Sequence, residues 1–193
     1  SAHPNLNIDK VRAGECLYNL GKFDQALPYY QRLVTDFAKA DVAADAQYRI
    51  GDVQFKAEQF NEAIRAYQAL LERDPKGPLA YRAAYWQGET LYRLGRYEEA
   101  IASYDKSLQL SPDGNYAAYA GYSIALSQYK LNRYKEAGER LESLLHKYPK
   151  HELVPEITFR LGETRYAAKD YPAAIKAYEQ VLAAPAGAKL APL

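Results

Sequence analysis

Along residues 91–112, LYRLGRYEEAIASYDKSLQLSP, apolar positions recur three and four residues apart, break at LGR, and resume from Tyr97. That spacing places them on one face of a helix, so the stretch reads as two amphipathic helices joined by a tight elbow. The same alternation runs through the whole chain. It predicts first helices over 8–20, 41–57, 78–94, 115–131 and 152–168, and second helices over 24–36, 61–73, 98–110, 135–147 and 172–184. Gly21, Gly95 and Asn132 suit a left-handed residue at the end of a first helix; Glu58 and Lys169 stand in the same slot and fit it less well. Pro75, Pro112 and Pro149 follow second helices, where proline stops a helix.

These features share one interval. An aromatic followed three residues later by alanine occurs at Phe23/Ala26, Phe60/Ala63, Tyr97/Ala100, Tyr134/Ala137 and Tyr171/Ala174, each pair 37 residues after the last. Gly14, Gly51, Gly88 and Gly162 keep the interval, with Ala125 in the fourth place. So do Tyr30, Tyr67, Tyr104 and Tyr178, with Leu141 as the exception. Internal periodicity of this length is the mark of stacked helical hairpins. The small residues predict close approach of the two helix backbones, with the elbow aromatic covering that contact.

These columns resemble the tetratricopeptide repeat family. In the third hairpin Gly88, Gly95, Tyr97, Ala100, Tyr104 and Pro112 match the family's small, turn, aromatic and proline positions. Two departures stand out. The period exceeds the family's usual 34, and the family's early tryptophan column holds Lys10, Gln47, Ala84, Gly121 and Thr158, with Trp86 two residues later. The resemblance implies an all-α, right-handed α-solenoid of five hairpins forming one elongated domain over 1–193. Repeats fall at about 7–40, 41–77, 78–114, 115–151 and 152–184, followed by a tail at 185–193. First helices would line a concave inner wall and second helices the outside. Residues 148–182, YPKHELVPEITFRLGETRYAAKDYPAAIKAYEQVL, are similar to the longer repeats of bacterial envelope proteins, including the Tol-Pal-associated coordinator and an outer-membrane assembly lipoprotein. That similarity implies a bacterial periplasmic or envelope scaffold; a cytoplasmic location is the alternative.

A concave wall would repeat its recognition positions once per hairpin. One first-helix column holds Tyr48, Tyr85, Tyr122 and Phe159; seven residues on, another holds Tyr18, Phe55, Tyr92, Tyr129 and Tyr166. Two turns apart, they face nearly the same way. The rings either pack hairpins together or form an aromatic groove for an extended peptide or helix, since aromatics give large contact area with few rotors. Glu15, Asp52, Glu89 and Glu163 form a near-repeated acidic column, broken by Leu126 in the fourth hairpin; four residues later come Asn19, Lys56, Arg93, Lys130 and Ala167. These charges supply either solubility and intrahelical pairing or orientation of a polar partner. The candidate partner-binding residues are therefore Tyr48, Asp52, Phe55, Lys56, Tyr85, Glu89, Tyr92, Arg93, Tyr122, Tyr129, Lys130 and Phe159.

Composition removes several classes. Lys plus Arg number 25 against 24 Asp plus Glu, a net charge of +1, and no continuous basic stripe points to nucleic acid. No run of eighteen apolar residues predicts a membrane span. The single Cys16 reads as a buried small hydrophobe. His3, His146 and His151 make no same-face metal pair, and no phosphate loop, CxxC pair or catalytic serine motif is present. The expectation is a noncatalytic scaffold without a cofactor, binding a protein or peptide on its first-helix surface. The alternative is a structural spacer or self-assembling module that works through its terminal and convex faces, prompted by the ending APAGAKLAPL, which carries no evident cap helix.

Overall fold

The computed structural model describes residues 4–38 and 42–183, with side chains from Asp9 onward. His3, residue 184 and the tail at 185–193 lie outside the described residues. All regular structure among the described residues is helical: α1 (Pro4–Asn19), α2 (Phe23–Asp36), α3 (Val42–Lys56), α4 (Phe60–Arg73), α5 (Ala80–Arg93), α6 (Tyr97–Leu110), α7 (Ala117–Lys130), α8 (Tyr134–Lys147), α9 (Val154–Ala167) and α10 (Tyr171–Ala183). They form two compact units, Ser1–Gly95 with α1 to α5 and Arg96–Leu193 with α6 to α10. Within each unit every helix packs against the helices before and after it in the chain.

The helix boundaries differ from expectation in a regular way. Second helices begin one residue earlier, because the elbow aromatic is itself the first helical residue. First helices α5, α7 and α9 begin two residues later. A turn comes first: Gly77 N–H donates to Asp74 O at 3.2 Å and Ala80 N–H to Gly77 O at 3.0 Å, and Gly114 and Ala117 repeat the pattern after Ser111.

The elbow is the same in all five places. Gly21 (φ 70°), Glu58 (58°), Gly95 (74°), Asn132 (59°) and Lys169 (62°) are all left-handed, so Glu58 and Lys169 keep the geometry although their side chains disfavour it. The elbow's hydrogen bonds require it: Gln59 N–H reaches Gln54 O at 2.8 Å, and Asp170 N–H reaches Arg165 O at 2.9 Å. The conformation costs a non-glycine residue roughly 1–2 kcal/mol.

What the small residues make room for also differs from expectation. A Cβ on Gly51 would stand 2.4 Å from the Tyr67 ring, and one on Gly162 would stand 2.6 Å from the Tyr178 ring. The glycine thus clears space for the tyrosine of the second helix rather than for its backbone. In the fourth hairpin Leu141 replaces that tyrosine, and Ala125 and Leu141 share one buried cluster. Cys16 is exposed, not buried. Its counterpart Val53 is buried in a cluster with Ala26, Tyr30 and Leu33 of α2. α1 is the first described helix, so no earlier second helix lies over Cys16 among the described residues.

Candidate functional site

In the first unit, α3 and α5 carry the expected surface. Tyr48 is only 6% exposed, its ring 6.0 Å from that of Tyr67, and the Arg82 guanidinium lies 5.3 Å from its centre. Asp52 accepts a hydrogen bond from the Tyr67 hydroxyl at 3.0 Å. Burial raises the Asp52 carboxyl above its ordinary range, against the Tyr67 hydrogen bond and Arg49, which lower it. Asp52 pairs with Arg49 at 3.7 Å, three residues before it, rather than with Lys56; Arg49 also reaches Glu15 of α1 at 3.6 Å.

Phe55 is held edge-on by Phe60 at 5.8 Å and by Trp86 at 5.3 Å, with the Arg93 guanidinium 5.7 Å from its centre. Tyr85 is 8% exposed and meets Trp86 edge-on at 5.6 Å. Glu89 and Tyr92 are half-buried, whereas Lys56 and Arg93 are exposed. The first aromatic column is therefore largely committed to packing. In the second, Phe55 and Tyr92 leave part of each ring open beside the exposed Lys56 and Arg93.

The second unit repeats this division on α7 and α9. The Tyr122 hydroxyl donates to Glu156 at 2.9 Å and is also hydrogen-bonded by Arg160. Burial, foremost, pushes this phenol above its ordinary range. Arg160 bridges Glu156 at 3.0 Å and Glu163 at 2.8 Å. Phe159 lies 6.2 Å from Tyr178 and carries the Arg160 guanidinium 5.8 Å from its centre. Tyr129 packs edge-on against the elbow residue Tyr134 at 5.2 Å, and Lys130 is exposed.

Residues outside the candidate partner-binding set thus organise both surfaces. Arg49, Trp86 and Arg160 share one column of the repeat, and Arg82 and Glu156 share another. Their shared interval is the signal in the sequence, masked because the side-chain chemistry changes from one hairpin to the next. Among the described residues no group of three or more His, Cys, Asp or Glu side chains is placed to hold a metal, and no helix is long and apolar enough to cross a membrane.

The geometry is that of helical-repeat interaction proteins. Residues 11–59, 48–115 and 122–189 match the model of the tetratricopeptide repeat, and the chain belongs to that family. No curated protein sequence matches it. Solved structures of the same fold include MamA 41-end from Desulfovibrio magneticus RS-1, 16% identical over 91% of this chain and 93% of that one, with a TM-score of 0.77. YrrB, described as a TPR protein with an unusual peptide-binding site, is 17% identical over 90% of this chain and 83% of that one, with a TM-score of 0.71. A putative kinesin light chain from Podosopora anserina, with nearly identical TPR-like repeats, is 15% identical over 95% and 96%, with a TM-score of 0.76. These likenesses establish an all-helical, tetratricopeptide-like α-solenoid fold. The family's members are in general noncatalytic scaffolds for protein partners.

Proposed function

We propose that the chain is a noncatalytic scaffold that binds an extended peptide or a helix of a partner protein on its first-helix surface. One observation carries the reading, and it holds in each unit separately: in the first, Phe55 and Tyr92 are half-buried, with Phe55 held at the elbow by Phe60, beside the exposed Lys56 and Arg93; in the second, Tyr129 is half-buried and held by Tyr134 beside the exposed Lys130. Rings fixed before binding lose little freedom on contact, and adjacent cations orient an acidic or polar partner. The peptide-binding site of YrrB is a precedent within the fold. A bacterial envelope compartment belongs to the same proposal and rests on the similarity of residues 148–182 to envelope repeats; fractionation of the native source tests it.

Affinity purification with mass-spectrometric identification supplies the partner. Its affinity is then measured for Arg93→Glu and Lys130→Glu, which alter exposed groups and spare the core. Weakening of about tenfold or more per charge reversal is expected, with helicity unchanged. Unchanged affinity in folded variants sinks the proposed surface. Replacing Tyr85 or Tyr122 is less informative, because Tyr85 is buried and the Tyr122 hydroxyl is hydrogen-bonded to Glu156.

A second reading, self-assembly through terminal faces, is favoured by α10. Leu182 is 84% exposed, whereas Leu71, at the corresponding place in α4, is 2% exposed. Light scattering over a broad concentration range tests it: a rise in mass supports self-assembly, and a constant monomer mass excludes it.

A further inference from the structure

The first hairpin breaks the inner aromatic column at one position. Val11 stands where Tyr48, Tyr85, Tyr122 and Phe159 stand in the others. Beside it, between α1, α2 and α3, lies a cavity of about 310 Å³. Its apolar wall includes Val11, Leu33 and Ala46, and Tyr30 also lines it. Tyr30 is 1% exposed, and its buried hydroxyl has no hydrogen-bond partner among the described residues. The corresponding Tyr67 has both things Tyr30 lacks: the Tyr48 ring at 6.0 Å and an acceptor in Asp52 at 3.0 Å. In the first hairpin the counterpart of Asp52 is Glu15, which is drawn toward Arg49 at 3.6 Å.

The groups that would receive a ring in the missing position are nonetheless present. In the second unit Tyr122 occupies the position of Val11, with its hydroxyl on Glu156 and Arg160. The counterparts of Glu156 and Arg160 on α3 are Asp45 and Arg49, and both line the cavity. The carboxylate and the guanidinium are therefore retained where the tyrosine is not. Asp45 is exposed and Arg49 partly so, and among the described residues the mouth of the cavity is open.

We propose that this cavity is an anchor pocket for a tyrosine side chain of the partner peptide, which supplies in trans the ring that Val11 omits. The incoming ring lies against Val11, Leu33 and Ala46 with its edge toward Tyr30. Its hydroxyl donates to Asp45 and accepts from Arg49, as the Tyr122 hydroxyl does with Glu156 and Arg160. A phenylalanine fills the same volume but leaves that carboxylate and guanidinium without their phenol. A branched aliphatic side chain lacks the flat shape. Burial pushes the Tyr30 phenol up to about 12, so the group facing the ring is a neutral hydroxyl at physiological pH. The inference rests on the first-helix reading above and adds to it a position and a residue type.

The test uses the full chain with N-acetyltyrosinamide, N-acetylphenylalaninamide and N-acetylleucinamide as probes, read from the methyl resonances of Val11, Leu33 and Ala46. Saturable shifts are expected with the tyrosine probe, about fivefold weaker binding with phenylalanine, and none with leucine. Val11→Tyr fills the pocket from within and should abolish tyrosine binding while raising the melting temperature. Asp45→Ala should bring the tyrosine affinity down to that of phenylalanine and leave phenylalanine unchanged. Equal response to all three probes, no saturable response to any, or tyrosine binding retained in a folded Val11→Tyr protein would each overturn the pocket. The two proposals fail separately: a partner weakened by Arg93→Glu but indifferent to Val11→Tyr refutes the pocket and leaves the surface standing.

Discussion

Replacing Gly51 by alanine should destabilise the protein although alanine is the better helix former. The added Cβ would stand 2.4, 2.6 and 2.7 Å from Cε1, Cδ1 and Cζ of Tyr67. That ring cannot swing away freely, because Tyr67 is fully buried and its hydroxyl is tied to Asp52 at 3.0 Å. Overpacking of this kind costs about 1–3 kcal/mol, and the gain in helix propensity offsets up to about 1 kcal/mol. A net loss of about 1–2 kcal/mol is expected. The fourth hairpin supplies the control, since Ala125 and Leu141 occupy the two corresponding positions there. Tyr67→Leu alone removes ring contacts and the Asp52 hydrogen bond; with Gly51→Ala, it recreates the Ala/Leu pair. Urea denaturation followed by circular dichroism on the two single variants and the double variant gives a coupling energy, expected to be about 1–2 kcal/mol in favour of the double. Additive effects, or a Gly51→Ala protein more stable than the parent, would show that the ring is not what the glycine accommodates.

Other positions give independent outcomes. A carboxyl whose folded pKa lies above its unfolded value favours the folded state at acid pH and works against it as pH rises through that range. Asp52 is such a group, with burial as the main cause, so Asp52→Asn should become progressively more stable relative to the parent between about pH 4 and 7; urea midpoints at both pH values show the trend or its reverse. Glu58→Gly and Lys169→Gly should each raise stability by about 0.5–1 kcal/mol, because both residues are left-handed; a drop in melting temperature would mean that their side chains contribute more than the backbone conformation costs. Cys16 should react with a thiol reagent in native buffer as fast as a small exposed thiol, whereas slow reaction restored by urea would place it back in a core.

The helical hairpins were legible because stacking brings like side chains to like places along the chain: Tyr30, Tyr67 and Tyr104 are buried, while Tyr178 of the same column, on the last described helix, is only half-buried. The elbow was only partly legible. Glu58 and Lys169 look wrong for a left-handed turn, and the turn is imposed by hydrogen bonds back to Gln54 and Arg165, which composition at one position does not reveal. Cys16 was misread for a related reason: helical spacing shows which side of α1 it occupies, not whether a neighbour covers that side. The site was legible as columns but not as contacts. Asp52 and Lys56 have the spacing of an ion pair, yet Arg49 takes the carboxylate, and buried Tyr67 sets where it points. In the sequence Val11 is one unremarkable apolar residue, and only the cavity beside it gives its departure from the column a meaning.

The central claim is that first-helix faces, not second-helix faces, meet the partner. Photo-crosslinking from single exposed positions compares them directly, with the crosslinker placed at Lys56, Arg93 or Lys130 on first helices and at Arg65 or Glu139 on second helices. Capture of the identified partner from the first three positions and not from the last two is the predicted result. Capture from Arg65 or Glu139, with none from Lys56, Arg93 or Lys130, would contradict the account.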